Sequence, residues 1–313
     1  MQAQTSNAAP IIWCASYPKS GNTWLRALLA GAFGDGTVLL SNLAGRAGDA
    51  DQGIIFHQFG IPPSILDDAL AEDLVKEAAV SIAMHLDEPL FRKSHECFDG
   101  AGSNSIHTLR VPCCAIYVVR DPRAVVPSLA HHMGISQKNA VKMMGTSTKM
   151  AAEQRAENLP NARALAEPDR YRGRGSRIQQ HWGDWSENVT SWLDQDEIPF
   201  SLVRYEDLSA DAESVMKKVF DELELEVPGE QLRQAVEESS FDRLMMQEIH
   251  DGFGETAAAD RHFFRRGEVD AWREELEDGL EQEIISAHGE VMERLGYLEP
   301  IAVGRDLGWG GEV

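Results

Sequence analysis

Positive charge is scarce in this chain: 29 Lys and Arg stand against 51 Asp and Glu among 313 residues, a formal net charge of −22. Nucleic acids, heparin-like polymers and anionic membranes bind through a general basic field, so this balance disfavours all three as partners. Cysteine is scarce as well. Of the four present, Cys113 and Cys114 are adjacent, which is no framework for disulfides and points to a reducing, cytoplasmic setting. Neither a C-x-x-C pair nor H-E-x-x-H occurs, so no dedicated metal site is expected. No apolar run reaches the roughly 20 residues that span a bilayer. Residues 1–10 have neither the basic start nor the apolar centre of a secretory signal.

An anionic ligand must then be met by local clusters of Lys and Arg, and the sequence has them. The run Ile11-Ile12-Trp13-Cys14-Ala15-Ser16 reads as a strand, Tyr17-Pro18-Lys19-Ser20-Gly21-Asn22-Thr23-Trp24 as a tight loop, and Leu25 to Ala30 as a helix. A helix starting there leaves its first N–H groups pointing into the loop, where the helix dipole favours an anion and Lys19 adds a cation. This is not the nucleotide-triphosphate loop G-x-x-x-x-G-K-[ST], because Lys19 comes before Gly21.

Further clusters follow in order. Ala115 to Val119 reads as a buried parallel strand ending at Arg120-Asp121-Pro122-Arg123, with Ser128 in the helix beyond. Arg120 taken alone fits a strand-end ion pair with Asp121 just as well. In Leu90-Phe91-Arg92-Lys93-Ser94-His95, Lys93 and His95 stand two apart, so on extended chain both face the same way. Trp182, Trp185 and Trp192 have helical spacing and are assigned to packing; they lead into the strand Phe200 to Arg204 and the acidic turn Tyr205-Glu206-Asp207. Phe263-Phe264-Arg265-Arg266-Gly267 is the last cationic segment.

In content and order these segments resemble the sulfotransferases that use 3′-phosphoadenosine 5′-phosphosulfate (PAPS). The loop departs from that family's usual TYPKSGTTW only at Ser16 and Asn22, and the likeness runs from Ile11 to Arg273. The resemblance implies that the backbone N–H groups of Ser20, Gly21, Asn22 and Thr23 hold the 5′-phosphate, Trp24 stacks on adenine, and Tyr205 lies near it. It implies that Arg120 and Ser128 hold the 3′-phosphate, with Arg265, Arg266 and Gly267 completing the clamp. Phe241, in Ser239-Ser240-Phe241, would pack on adenine; a place in the core suits it equally. His95 is implied as the catalytic base, Lys19 and Lys93 as the cations at the transferring group, and Ser128 as a restraint on Lys19. Glu96-Cys97 replaces the family's Leu-Pro after the His, and Asp270-Ala271 replaces Gly-Asp after the R-R-G segment.

Strands alternating with helices predict a three-layer α/β/α fold, a central parallel sheet carrying a P-loop-like strand, loop and helix, in one domain over 1–313. The acidic stretches 213–238 and 268–293 read as solvated helix faces. Residues 34–60 and 135–180 fall outside the resemblance and read either as acceptor-site or lid segments or as surface insertions. A helix is expected around Ser64 to Val80. The function so implied is transfer of a sulfuryl group from PAPS, a co-substrate leaving as 3′-phosphoadenosine 5′-phosphate, to a hydroxyl or secondarily an amine of a small-molecule acceptor, without metal. A small-molecule kinase and a non-catalytic nucleotide-binding relative are the rival readings. The acceptor is not written in the sequence, and neither is the oligomeric state, with which a homodimer is compatible.

Overall fold

The computed structural model describes residues 10–45, 53–62, 66, 68–98, 111–146, 182–256 and 261–298. Four runs rich in β-branched and aromatic residues form β1 (Ile11–Ser16), β2 (Leu90–Ser94), β3 (Cys113–Val119) and β4 (Phe200–Arg204), which make one parallel sheet in the order β2-β1-β3-β4. Connecting parallel strands requires crossovers, and helices supply them. These are α1 (Asn22–Phe33), α2 (Gly53–Phe59), α3 (Asp68–Ala83), α4 (Pro122–Met133), α5 (Gln137–Met144), α6 (Trp185–Leu193), α7 (Tyr205–Ala210) and α8 (Ala212–Glu222). Four more complete the described chain: α9 (Gly229–Glu238), α10 (Phe241–Asp251), α11 (Trp272–Glu275) and α12 (Leu280–Arg294).

Side chains alternate across a strand, so each strand feeds two cores. Ile11, Trp13 and Ala15 with Ala115, Tyr117 and Val119 pack on one face against α6 and α12, through Trp185, Val189, Trp192, Ile284 and Met292. On the other face Ile12 and Cys14 with Cys114, Ile116 and Val118 pack against Leu25, Leu28 and Leu29 of α1 and Met216 and Val219 of α8. The three layers predicted from the sequence are present. Trp185 and Trp192 have no exposed surface, and truncating a side chain of that size in a core costs about 3–5 kcal/mol. Their assignment to packing agrees with this burial. Gly31 lets α1 approach α9 closely, since a Cβ there would lie 2.7 Å from that of Ala235.

Local signals set the ends of these elements. Asp121 caps α4 by accepting from the Arg123 amide at 2.9 Å, with Pro122 in the first turn, where its missing N–H costs nothing. Asp184 and Glu187 form a reciprocal capping box at the start of α6. Helix α3, described from Asp68, continues to Ala83, past the expected end at Val80; the expected start at Ser64 lies outside the described residues. Within residues 34–60, Ile54 and Ile55 of α2 pack on Val75 and Ala78 of α3; this tertiary contact forms a helix that periodicity over seven residues is too short to announce. Residues 46–52, His181 and the part of the 135–180 segment from 147 on, with Arg172, Arg174 and Arg177, lie outside the described residues. Among the described residues no helix is long and apolar enough to cross a membrane.

Candidate active site

The parallel register brings the carboxyl ends of all four strands to one edge, where ligands of open α/β sheets bind. β1 delivers Tyr17 to Gly21 there, β2 delivers Lys93 and His95, β3 Arg120, and β4 Tyr205. The loop after β1 turns through two left-handed residues, Lys19 at φ 68° and Gly21 at φ 109°. A Cβ on Gly21 would stand 2.7 Å from Cδ2 of Tyr205, so only glycine allows both the turn and the ring. Asn22 Nδ2 donates to the Cys14 carbonyl at 2.8 Å and to Ser16 Oγ at 3.2 Å, which folds the loop onto its strand. The Asn22 side chain is thus turned inward, which is compatible with the contact expected of Asn22, made by its main-chain N–H. The N–H groups of Asn22, Thr23 and Trp24, in the first turn of α1, have no intrahelical acceptor. Ser20 Oγ, Trp24 Nε1 and Arg120 Nε are buried without a hydrogen-bond partner.

His95 lies immediately past β2, with Nδ1 2.8 Å from the carbonyl oxygen of Ser16 and 3.3 Å from its hydroxyl. A carbonyl can only accept, so Nδ1 carries the proton and Nε2 presents a lone pair. Burial, reinforced by the Lys93 charge, lowers His95 to about 3, which keeps the ring neutral. Helix α6 fixes its backbone: Asn188 Nδ2 donates to the His95 carbonyl at 3.0 Å while Asn188 Oδ1 accepts from Tyr117 at 2.7 Å. Trp192 Nε1 donates to the Glu96 carbonyl at 2.9 Å, and the Phe98 amide donates to Ser191 Oγ at 2.9 Å. The Glu96-Cys97 replacement is accommodated by these backbone bonds, which any side chain permits. Trp182 stands edge-on to the His95 ring with centroids 6.5 Å apart, so this tryptophan borders the site as well as the core.

Lys19 Nζ lies 3.5 Å from the centre of the Phe263 ring. Burial first, and the charge of Lys93 second, lower it to about 7. Lys19, Ser128, His131, His132, Arg261 and Arg265 are among the residues around a cleft of about 290 Å³.

On the other side of the loop the aromatic and arginine residues meet. Trp24 is edge-on to Tyr205 at 5.6 Å, and the Arg120 guanidinium stacks 4.1 Å from the Tyr205 ring centre. The R-R-G segment closes over them, because Tyr205 Oη donates to the Gly267 carbonyl at 2.7 Å and Arg120 Nη2 to the Glu268 carbonyl at 3.2 Å. A Cβ on Gly267 would overlap the Phe241 ring, and its φ is 71°. Phe241 also packs on Phe264, so it borders both the core and this group. The ion pair of Arg120 with Asp121 is not made; Asp121 pairs with Arg123 at 2.7 Å. Arg265 and Arg266 are held by carboxylates, Arg265 by Glu275 and Arg266 by Glu268 at 2.9 Å and Glu274 at 3.3 Å. The acidic stretch 268–293 is therefore not solvated throughout, since its first part neutralises the two arginines. Asp270-Ala271, by contrast, leads directly into α11 without disturbing Gly267.

With the geometry in view, similarity to known proteins becomes informative. The profile of the family described as sulfotransferase domain matches residues 10–296. The chain belongs to this family. Cytosolic sulfotransferase 12 of Arabidopsis thaliana is 31% identical over 104 residues, 32% of either chain. Sulfotransferase 6B1 of Danio rerio is 24% identical over 172 residues, 54% of this chain and 48% of that one. These matches span about a third to a half of the length of the curated relatives. Two solved structures share the fold. A mouse sulfotransferase complexed with PAP has a TM-score of 0.54 at 15% identity, covering 93% of this chain and 86% of its own. A retinol dehydratase in complex with androsterone and inactive cofactor PAP has 0.55 at 18%, covering 90% and 80%.

Two residues of this candidate site are not signalled by the sequence. Glu255 contacts Arg26, Lys93 and Thr23, all more than 160 positions away along the chain, and an acidic residue in a glycine-rich turn gives no sign of such a place. Arg26 was passed over because it sits inside an apolar helix; it is 1% exposed and also bonds the Ala44 carbonyl at 2.7 Å. Among the described residues no group of three or more His, Cys, Asp or Glu is placed to hold a metal ion.

Proposed function

We propose that the chain transfers the sulfuryl group of PAPS to the hydroxyl of a small-molecule acceptor. The observation that carries this reading is the lone pair of a neutral His95 Nε2 beside the phosphate loop, with Lys93 close enough to lower both the His95 and the Lys19 pKa. In this mechanism His95 Nε2 takes the hydroxyl proton as the acceptor oxygen bonds to sulfur. The bond from sulfur to the bridging oxygen breaks, and its electron pair leaves with 3′-phosphoadenosine 5′-phosphate. Lys19 and Lys93 offset the charge gathering on the bridging oxygen and the sulfuryl oxygens. The partnerless Ser20 Oγ, Trp24 Nε1 and Arg120 Nε fit a polar ligand between loop and R-R-G segment. Exposed ion pairs such as those of Arg266 are worth little, so exchange of its carboxylates for a phosphate is cheap. The four free thiols and the family suit a cytoplasmic enzyme acting on metabolite-sized alcohols or phenols.

The nucleotide half is tested by thermal shift. Charge-assisted bonds to a 3′-phosphate contribute about 1.5–3 kcal/mol each, so 3′-phosphoadenosine 5′-phosphate should raise the melting temperature at concentrations where AMP, ADP and ATP do little. Arg265→Ala combined with Arg266→Ala should shrink that preference and spare the weaker AMP response. Equal shifts for ATP and the 3′-phosphorylated nucleotide would remove the sulfotransferase reading.

A proton should accompany binding. Lys19 is lowered to about 7 in the free protein, and an anion beside it restores its affinity for the proton. The complex therefore holds more protons than the free protein above pH 7, and affinity is full below pH 7 and declines above it, by no more in total than removal of the Lys19 charge costs. His95, at about 3, adds no change between pH 5 and 7. Calorimetry in buffers of different ionisation enthalpy measures the uptake, and binding that stays flat from pH 7 to 9 contradicts it.

A further inference from the structure

Two cations beside the phosphate loop, Arg26 and Lys93, already face a carboxylate. Glu255, in the turn after α10, reaches back into the site: Oε1 accepts from Arg26 Nη1 at 2.7 Å, and Oε2 lies 3.2 Å from Lys93 Nζ and 3.5 Å from Thr23 Oγ1. Thr23 belongs to the N-terminal turn of α1 and Lys93 to the adjacent strand, so this carboxylate stands where the positive ends of the site converge. The turn is built to hold it there. Gly252 ends α10 at φ 75°, and Thr256 Oγ1 is tied to Glu248 Oε1 at 2.8 Å. The same connection covers the other lysine, since Phe263 lies under Lys19 Nζ at 3.5 Å. One contact is an ion pair and the other a cation–π contact, yet both mask cations that the sulfotransferase mechanism needs.

We infer that Glu255 is a specificity-determining residue of the nucleotide site: its carboxylate holds the position of the ligand's 5′-anion, and only a nucleotide with a 5′-phosphate or phosphosulfate displaces it. The inference deepens the sulfotransferase reading and rests on it. Burial alone would raise the Glu255 carboxyl, but Lys93 and Arg26 outweigh it and bring it to about 2, so the residue competes as an anion at any working pH. The exchange is selective because a phosphate also reaches the free N–H groups of the first turn of α1, which a single carboxylate leaves unmet. A nucleoside with no 5′-anion offers nothing to replace the ion pairs and leaves Glu255 in place.

Calorimetry with two probes tests this: adenosine 3′,5′-bisphosphate, and adenosine 3′-phosphate, which lacks only the 5′ group. Glu255→Gln keeps an oxygen for Arg26 and removes the charge. The bisphosphate should bind this variant about tenfold or more tightly than the wild type, as loss of one charged competitor predicts, and the monophosphate should bind both equally. Unchanged or weaker binding of the bisphosphate overturns the inference, weaker binding meaning that Glu255 arranges Lys93 and Arg26 for the ligand. Because Arg26 is buried, the variant could fold poorly, and the wild-type chain supplies a second measurement. Amide hydrogen exchange over residues 252–256 should rise when the bisphosphate binds and stay unchanged with the monophosphate. Protection of that turn by the bisphosphate also overturns the inference. If the bisphosphate binds the wild type no better than AMP, the sulfotransferase reading itself fails and takes the inference with it, an outcome that neither of the others resembles.

Discussion

His95→Ala is expected to lower kcat by about 10²–10⁴-fold while leaving the affinity for 3′-phosphoadenosine 5′-phosphate within about twofold. The reason is positional. Nδ1 is engaged by the Ser16 carbonyl and Nε2 is the ring's remaining nitrogen, so the substitution deletes the acceptor of the hydroxyl proton and touches no proposed nucleotide contact. The alanine variant also leaves the Ser16 carbonyl without its donor, at a cost of about 1–3 kcal/mol in stability. His95→Asn separates the two effects, because its amide can still donate to Ser16 and has nothing in the place of Nε2. Both variants should lose turnover to a similar degree. Full activity in the asparagine variant, with nucleotide binding intact, would assign proton removal to another group, Glu96 being the next to replace.

Lys19→Met should lower kcat by roughly 10²-fold, a rise of about 2.7 kcal/mol in the barrier, with a smaller change in nucleotide affinity. Methionine keeps the length of the side chain and its packing on Phe263, so what disappears is charge. A cation at the tip of the loop acts on the bridging oxygen most strongly when that oxygen is leaving, and interactions made only then appear in kcat rather than in Kd. Steady-state rates paired with calorimetry discriminate the cases. A large loss of affinity at unchanged kcat would make Lys19 a ground-state binding residue.

β1 and β3 were legible because buried parallel strands read as unbroken apolar runs, and several candidate site residues sit at or just past the carboxyl end of a strand. Lys19, Arg120 and Tyr205 follow their strands directly, so locating the strand located the residue. What the sequence hides is where a side chain turns once the chain is folded. Asn22 is read for its main-chain N–H, and nothing local announces that its side-chain amide closes the loop onto Cys14 and Ser16. Arg265 and Arg266 look like unpaired cations until α11 brings Glu274 and Glu275 beside them. Glu255 depends on a pairing 229 positions long with Arg26, and no local pattern encodes a contact of that separation.

The three bonds from α6 to the segment after β2, made by Asn188, Ser191 and Trp192, have a consequence for how such a protein can diversify. In the proposed site the backbone of the base, His95, is held by one helix, while the nucleotide contacts fall to groups at the ends of β1, β3 and β4 and to the R-R-G segment. On that reading, substitutions along α6 move the base without touching the nucleotide contacts, and a lineage can change what it modifies while continuing to draw on the same activated sulfate.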